Sequence, residues 1–154
     1  MKGDLFKDWI RFYKHGTLIL NVKEEGLEGK LLQFMSQYEI TDFFFLDQSF
    51  PFLRKTAISG ESRCAIRLSE YEDIKTVLSL SGMIKWVWVD CFSRFPLTKY
   101  DGEKLKKAGF KLCIVSPELQ GRTDTEHIEE FRYKLDLLDI KGDAVCTKYA
   151  DLWS

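Results

Sequence analysis

The sequence predicts a parallel α/β fold built from (β/α) repeats, and three observations carry that expectation. First, six short apolar runs recur along the chain, each ending in polar residues: 17–23, 42–49, 64–70, 86–92, 112–118 and 144–148. Runs that are apolar almost without interruption mark strands buried on both faces, as parallel strands are. Second, the intervals between the runs carry helical signals. Third, the runs start roughly 22 to 32 residues apart, the length of a βα repeat with a right-handed crossover. Two arrangements fit: a partial TIM-barrel-like wall of about six strands, or an open doubly wound sheet. A complete eight-unit barrel usually takes at least about 200 residues, and the chain has 154.

The helices follow in order. The first fifteen residues suggest a helix whose apolar face is Leu5, Trp9, Ile10 and Tyr13. Over 27–38, Leu27, Leu31, Phe34, Met35 and Tyr38 fall on one stripe. Residues 50–58 read as a turn or a short helix, with Pro51 at its start. Ser69-Glu-Tyr-Glu72 has the form of a capping box leading into Ile74, Val77, Leu78 and Leu80. Residues 101–108 form a short basic helix closed by Gly109. Thr125 caps a longer helix carrying Ile128, Phe131, Leu135 and Leu138, and Gly142 follows it. No linker or low-complexity stretch interrupts the alternation, so residues 1–154 read as one α/β domain: an N-terminal helix over 1–15, then six βα-type units over 16–154.

Composition narrows the function. Hydrophobic residues make up 45% and aromatic residues 14%, which predicts a packed core. Acidic and basic residues number 24 and 23, for a formal charge of −1, so nothing electrostatic calls for nucleic acid or an anionic membrane. The N-terminal residues mix charges among apolar side chains, unlike a signal peptide, and no run approaches a membrane span. Cys64, Cys91, Cys113 and Cys146 are widely spaced without metal-binding intervals, and read as buried reduced thiols of a cytoplasmic protein. No Gly-x-Gly-x-x-Gly or Walker-type loop follows any strand, which speaks against dinucleotide and P-loop nucleotide binding.

In parallel α/β folds, ligands lie outside the carboxyl ends of the strands. Those ends supply Asn21, Lys23, Asp47, Ser49, Arg67, Asp90, Ser116, Glu118 and Lys148 as candidate ligand-binding residues. Side chains two apart share a strand face, pairing Asn21 with Lys23, Asp47 with Ser49 and Ser116 with Glu118, and setting Asp90 above Trp86 and Trp88. Asp90 and Glu118 are candidate ligands for Mg²⁺ or Ca²⁺, or contacts for sugar hydroxyls; lysines there suit an anionic group such as phosphate. The loop 117–122 could cover a ligand, with Arg122 as an anion contact. Histidine is the deficit. His15 precedes the first strand, and His127 reads as a solvent-facing residue in the first turn of a helix.

The segments 18–23 with Gly26-Leu27, 43–51, 67–72, 88–92, 115–122 and 146–149 occur in an order that resembles a known family. It is the glycerophosphodiester phosphodiesterase and phosphatidylinositol phosphodiesterase-like superfamily of TIM-barrel proteins, and within it an uncharacterised branch associated with bacterial surface-polysaccharide gene clusters. The resemblance implies that the six strands correspond to the third to eighth of that barrel. The first two strands, which bring the catalytic histidine and most acidic metal ligands in active members, would then precede Met1. It also sets Asn21 where an acidic ligand is usual. The expectation is a phosphodiesterase-like barrel domain that acts on or binds a phosphodiester or phosphosugar; the alternative is a non-catalytic binding or scaffold domain that has lost hydrolytic residues. The outer strands of a six-strand wall would present unpaired edges. Their expected cover is the N-terminal helix, a second copy of the chain or a partner chain.

Overall fold

Every strand in the computed structural model pairs in parallel, and in each sheet the strands lie side by side in chain order. The structure describes residues 5–14, 16–122 and 125–154. The chain divides into two compact units, Met1–Cys64 and Ala65–Ser154.

The first unit opens with a single helical turn, α1 (Phe6–Trp9), which tightens into a 3₁₀ turn over Ile10–Phe12. The change of pitch breaks the 3.6-residue spacing. The apolar face expected from Leu5, Trp9, Ile10 and Tyr13 therefore does not form: Ile10 alone is buried, while Leu5 and Trp9 are exposed. Phe6 stacks on Trp9 and meets Phe34 edge-on, with centroids 6.1 Å apart for the second pair. Strand β1 (Leu18–Asn21) pairs with β2 (Phe43–Leu46), Leu18 opposite Phe43 and Asn21 opposite Leu46. Between them runs α2 (Glu28–Gln37), the crossover that parallel pairing requires. All four β2 residues are buried, which is why 43–46 reads as an unbroken apolar run. Helix α3 (Phe50–Ile58) resolves the ambiguous 50–58 segment, with Pro51 in its first turn, where its missing N–H costs nothing. Phe45 forms a further parallel bridge to Cys64, its N–H donating to the Arg63 carbonyl at 2.8 Å.

The second unit holds β3 (Ala65–Leu68), β4 (Trp86–Val89), β5 (Lys111–Val115) and β6 (Ala144–Cys146), adjacent in that order. A doubly wound sheet reverses its strand order at a switch point. Neither sheet shows such a reversal: the four strands of the second unit follow one another in chain order. The register sets Arg67 beside Trp88 and Trp88 beside Cys113, with Leu68 beside Val89 and Val89 beside Ile114. Strand alternation then divides the sheet: Arg67, Trp86, Trp88 and Cys113 share one face, and Leu68, Val87, Val89 and Ile114 the other.

The crossovers are α4 (Ile74–Leu78), α5 (Lys99–Lys107) and α6 (Thr125–Leu137). Their starts correct three expectations. Ser69 does not cap α4: its hydroxyl donates to Glu72 within a local turn, and Asp73 caps instead by accepting from the Lys75 N–H at 2.8 Å. The capping box lies at α5, where the Thr98 hydroxyl accepts from the Asp101 N–H and the Asp101 carboxylate accepts from the Thr98 N–H. That box starts the helix at Lys99 rather than 101. Thr125 is the first helical residue of α6 and not its cap.

Among the described residues no helix is long and apolar enough to cross a membrane. All four cysteines are free, and Cys64, Cys91 and Cys113 are buried. Burial pushes the Cys64 and Cys113 thiols up to about 12.

Two substitutions test this packing. Thr98→Ala removes the α5 cap and is expected to cost about 1 kcal/mol in denaturant unfolding. A Cβ at Gly142 would lie 2.8 Å from Ile114 Cγ1 and 3.0 Å from the Ala144 carbonyl oxygen. Gly142→Ala must therefore displace β5 or the entry to β6, with an expected loss of about 1–3 kcal/mol by the same measurement.

Candidate functional site

Each unit gathers part of the predicted set at the carboxyl ends of its strands. In the first unit, Lys23 forms an ion pair with Asp47. Asp47 sits just past β2 at φ 61°, in the left-handed region that aspartate tolerates better than most residues. The lysine is 71% exposed, so the pair adds little stability. Ser49 donates to Glu25 at 2.6 Å, and Gln48 Nε2 donates to Glu28 and to the Thr56 hydroxyl, each at 3.0 Å. These groups border a cavity of about 170 Å³ whose ionisable lining is Lys23, Glu24, Glu25, Glu28 and Asp47. Four carboxylates against one ammonium make it a poor seat for the anion expected at Lys23. Asn21 ends β1 exposed to solvent.

In the second unit, Asp90 follows β4 and is 2% exposed. Gln120 Nε2 donates to its Oδ1, and Arg67 Nε lies 3.7 Å from its Oδ2. The Arg67 side chain is 36% exposed, while its carboxylate partner is shut in. Ser116, fully buried after β5, donates to Glu118 and accepts from Trp153 Nε1 at 3.0 Å. Glu118 also accepts from the Thr147 hydroxyl at 2.6 Å and the Lys148 N–H at 2.9 Å, and so ties the end of β5 to the end of β6. The contribution of Lys148 is this backbone N–H; its side chain is exposed and not the inward cation expected. Burial pushes the Glu118 carboxyl up, but donation from Ser116, Thr147, Lys148 and its own N–H outweighs it and holds the group below the usual carboxylate range.

A divalent cation needs carboxylate oxygens that face it. Both oxygens of Glu118 accept from the chain's own donors, Asp90 accepts from Gln120 at Oδ1 and faces the Arg67 cation at Oδ2, and no group of three or more His, Cys, Asp or Glu among the described residues is arranged to hold a metal ion. The pair does not fit the Mg²⁺ or Ca²⁺ expected there.

The loop 117–122 is ordered rather than open. Pro117–Gln120 form a 3₁₀ turn, Gly121 adopts φ 83°, and Arg122 Nη2 donates to the Cys91 carbonyl at 2.6 Å. His15 lies outside the described residues. His127 is not simply solvent-facing: its Nδ1 is buried and has no hydrogen-bond partner.

Several residues that matter at these ends carry no strand-end signal. Gln120, Thr147 and Trp153 satisfy Asp90, Glu118 and Ser116 from loops whose paths only the fold reveals. Glu70 is another. Its carboxylate accepts from the Ser93 hydroxyl at 2.7 Å and from the N–H groups of Phe92, Ser93 and Arg94, fixing the turn after β4. Burial raises its pKa, but its own N–H, the Ser93 hydroxyl and the Arg94 and Ser93 N–H groups bring it down to about 2.

No family model matches the chain, and neither a curated protein nor a solved structure matches it.

The Glu70 clamp sets a pH dependence. Its folded pKa is lowered, so its stabilisation is complete above the ordinary value near 4.5 and is lost as pH falls through about 2. Glu70→Gln is expected to lower the melting temperature at pH 7 by a few degrees. The gap from wild type should close between those two values in a pH series of thermal melts.

Proposed function

We propose that the chain is a non-catalytic binding domain of the phosphodiesterase-like barrel type, which takes a phosphorylated small molecule or sugar at its strand ends and does not hydrolyse it. One observation carries the reading. Glu118, which joins the ends of β5 and β6, accepts from Ser116, Thr147 and the Lys148 N–H, and Asp90 accepts from Gln120. Glu118, held low by its donors, is a weak base, and a carboxylate that braces two strand ends is structural. Arg67, part exposed beside Asp90, is the cation that this reading assigns to the ligand's anionic group.

The chain-order parallel sheets and the ordered segments from 18–23 to 146–149 support the barrel-type assignment. The near-neutral charge favours a small ligand over nucleic acid. Four free cysteines suit a reducing compartment, the cytoplasm.

The test combines binding with turnover. Thermal shifts with a panel of phosphosugars are expected to show saturable stabilisation, weakened about tenfold or more in affinity by Arg67→Ala. Bis(p-nitrophenyl) phosphate with added Mg²⁺ or Ca²⁺ is expected to remain intact. Hydrolysis by wild type that disappears in Asp90→Asn would overturn the non-catalytic reading in favour of a hydrolase.

A further inference from the structure

Cys91, two residues past β4, lines a cavity of about 150 Å³ between the turn after β4, the 3₁₀ turn after β5 and the first turns of α6. Its charged lining is Arg94, Arg122, Lys134 and Glu130, and His127 joins them. With the imidazole counted neutral, three positive charges and one negative leave a net charge of +2. A cavity of this size holds several times the ~10–15 Å³ that one ordered water needs.

The hydrogen bonding points the same way. Among the described residues, three buried side-chain nitrogen or oxygen atoms have no partner: Gln48 Oε1, Arg122 Nε and His127 Nδ1. Two of the three belong to residues that line this cavity. Buried polar atoms in native proteins are nearly always satisfied, and an unsatisfied one calls for an explanation such as an absent ligand. Arg122 is held for the purpose, since its Nη2 is fixed on the Cys91 carbonyl while Nε has no acceptor. Arg94 is held from behind, because Glu70 accepts from the N–H groups of Phe92, Ser93 and Arg94 and so sets the backbone from which that side chain projects. The Lys134 and Arg94 side chains form no ion pair with a described residue.

We propose that this cavity is a binding site for a phosphate group carried by a small molecule, held by Arg94, Arg122, His127 and Lys134. A phosphate monoester carries about −1.5 to −2 charges at neutral pH and three strong acceptor oxygens. That matches the net charge of the lining, and the oxygens can accept from the Arg122 guanidinium and from His127 protonated at Nδ1. Guanidinium groups supply the planar, fixed donors that select phosphate over a point anion. The site does not rest on the strand-end reading above, because neither Arg67 nor Asp90 lines this cavity. A phosphate here would draw together the turn after β4, the turn after β5 and the start of α6.

The experiment is a titration of the full chain with inorganic phosphate, followed in ¹H–¹⁵N correlation spectra at constant ionic strength, with chloride and acetate as controls and sulfate as the tetrahedral comparison. Saturable shifts confined to residues 92–95, 117–122 and the start of α6 are expected with phosphate. Lys134→Gln should weaken binding about tenfold, and Arg122→Gln by at least as much. Glu130→Gln should tighten it, and Lys85→Gln, an exposed charge elsewhere, should leave it unchanged. The Lys134 side chain forms no ion pair with a described residue, so a folded Lys134→Gln chain keeps the test decisive if Arg122→Gln unfolds. Absence of saturable phosphate shifts, or equal shifts with chloride, overturns the site. So does unchanged affinity in Lys134→Gln. Phosphosugar binding that depends on Arg67 but not on Lys134 would leave the strand-end reading standing and remove this one; the reverse dependence would do the opposite.

Discussion

Parallel pairing between very short strands is the constraint on which the rest depends. Two parallel strands cannot be joined by a tight turn, so each pair in this chain needs a helix or an equivalent crossover between its members. Within each sheet the strands then run the same way, and their carboxyl ends fall on one rim of that sheet. The strands are only three to five residues long. Their own ladders are correspondingly brief, and side chains just beyond the last paired residue must finish holding the ends in place.

That need explains the chemistry at the rim. A buried carboxylate is tolerable only when donors surround it. Glu118 meets the condition by joining β5 to β6 through Ser116, Thr147 and the Lys148 N–H. Asp90 meets it with Gln120 and Arg67, and the half-buried Glu70 grips the turn after β4. Acidic residues at strand ends are a familiar sign of catalysis, yet the same residues can be the clips that close a sheet of short strands. The number of donors each oxygen already has separates the two roles.

The strands were legible because a four-residue run such as 43–46 or 86–89 is buried throughout, and burial on both faces leaves its mark in every residue. The crossovers were legible in number and approximate place, and the parallel (β/α) class followed. Helix starts were less so. Ser69 and Thr98 are both followed three positions on by an acidic residue, and only the path of the chain makes the second a cap and the first a local turn. Asp90, Ser116 and Glu118 were correctly placed at strand ends, but their partners come from about 30 residues away or more for Gln120, Thr147 and Trp153, beyond any local pattern. Lys148 was named for its ammonium and contributes an amide instead. His127 and Arg122 were seen singly; that Lys134, two helical turns along, and Arg94, in another loop, border the same cavity is a fact of packing.

The buried cysteines have a use that follows from their placement. Cys64 belongs to the first unit and Cys113 to the second, and burial leaves both thiols unreactive in the closed state. Only thiolate reacts readily with an alkylating reagent, so each sulfur is modified when its surroundings open. The chain thus carries, without engineering, a chemical clock in each unit: Cys64 in the first, and Cys113, one of three thiols, in the second. The ratio of their alkylation rates measures whether the units open together or one before the other.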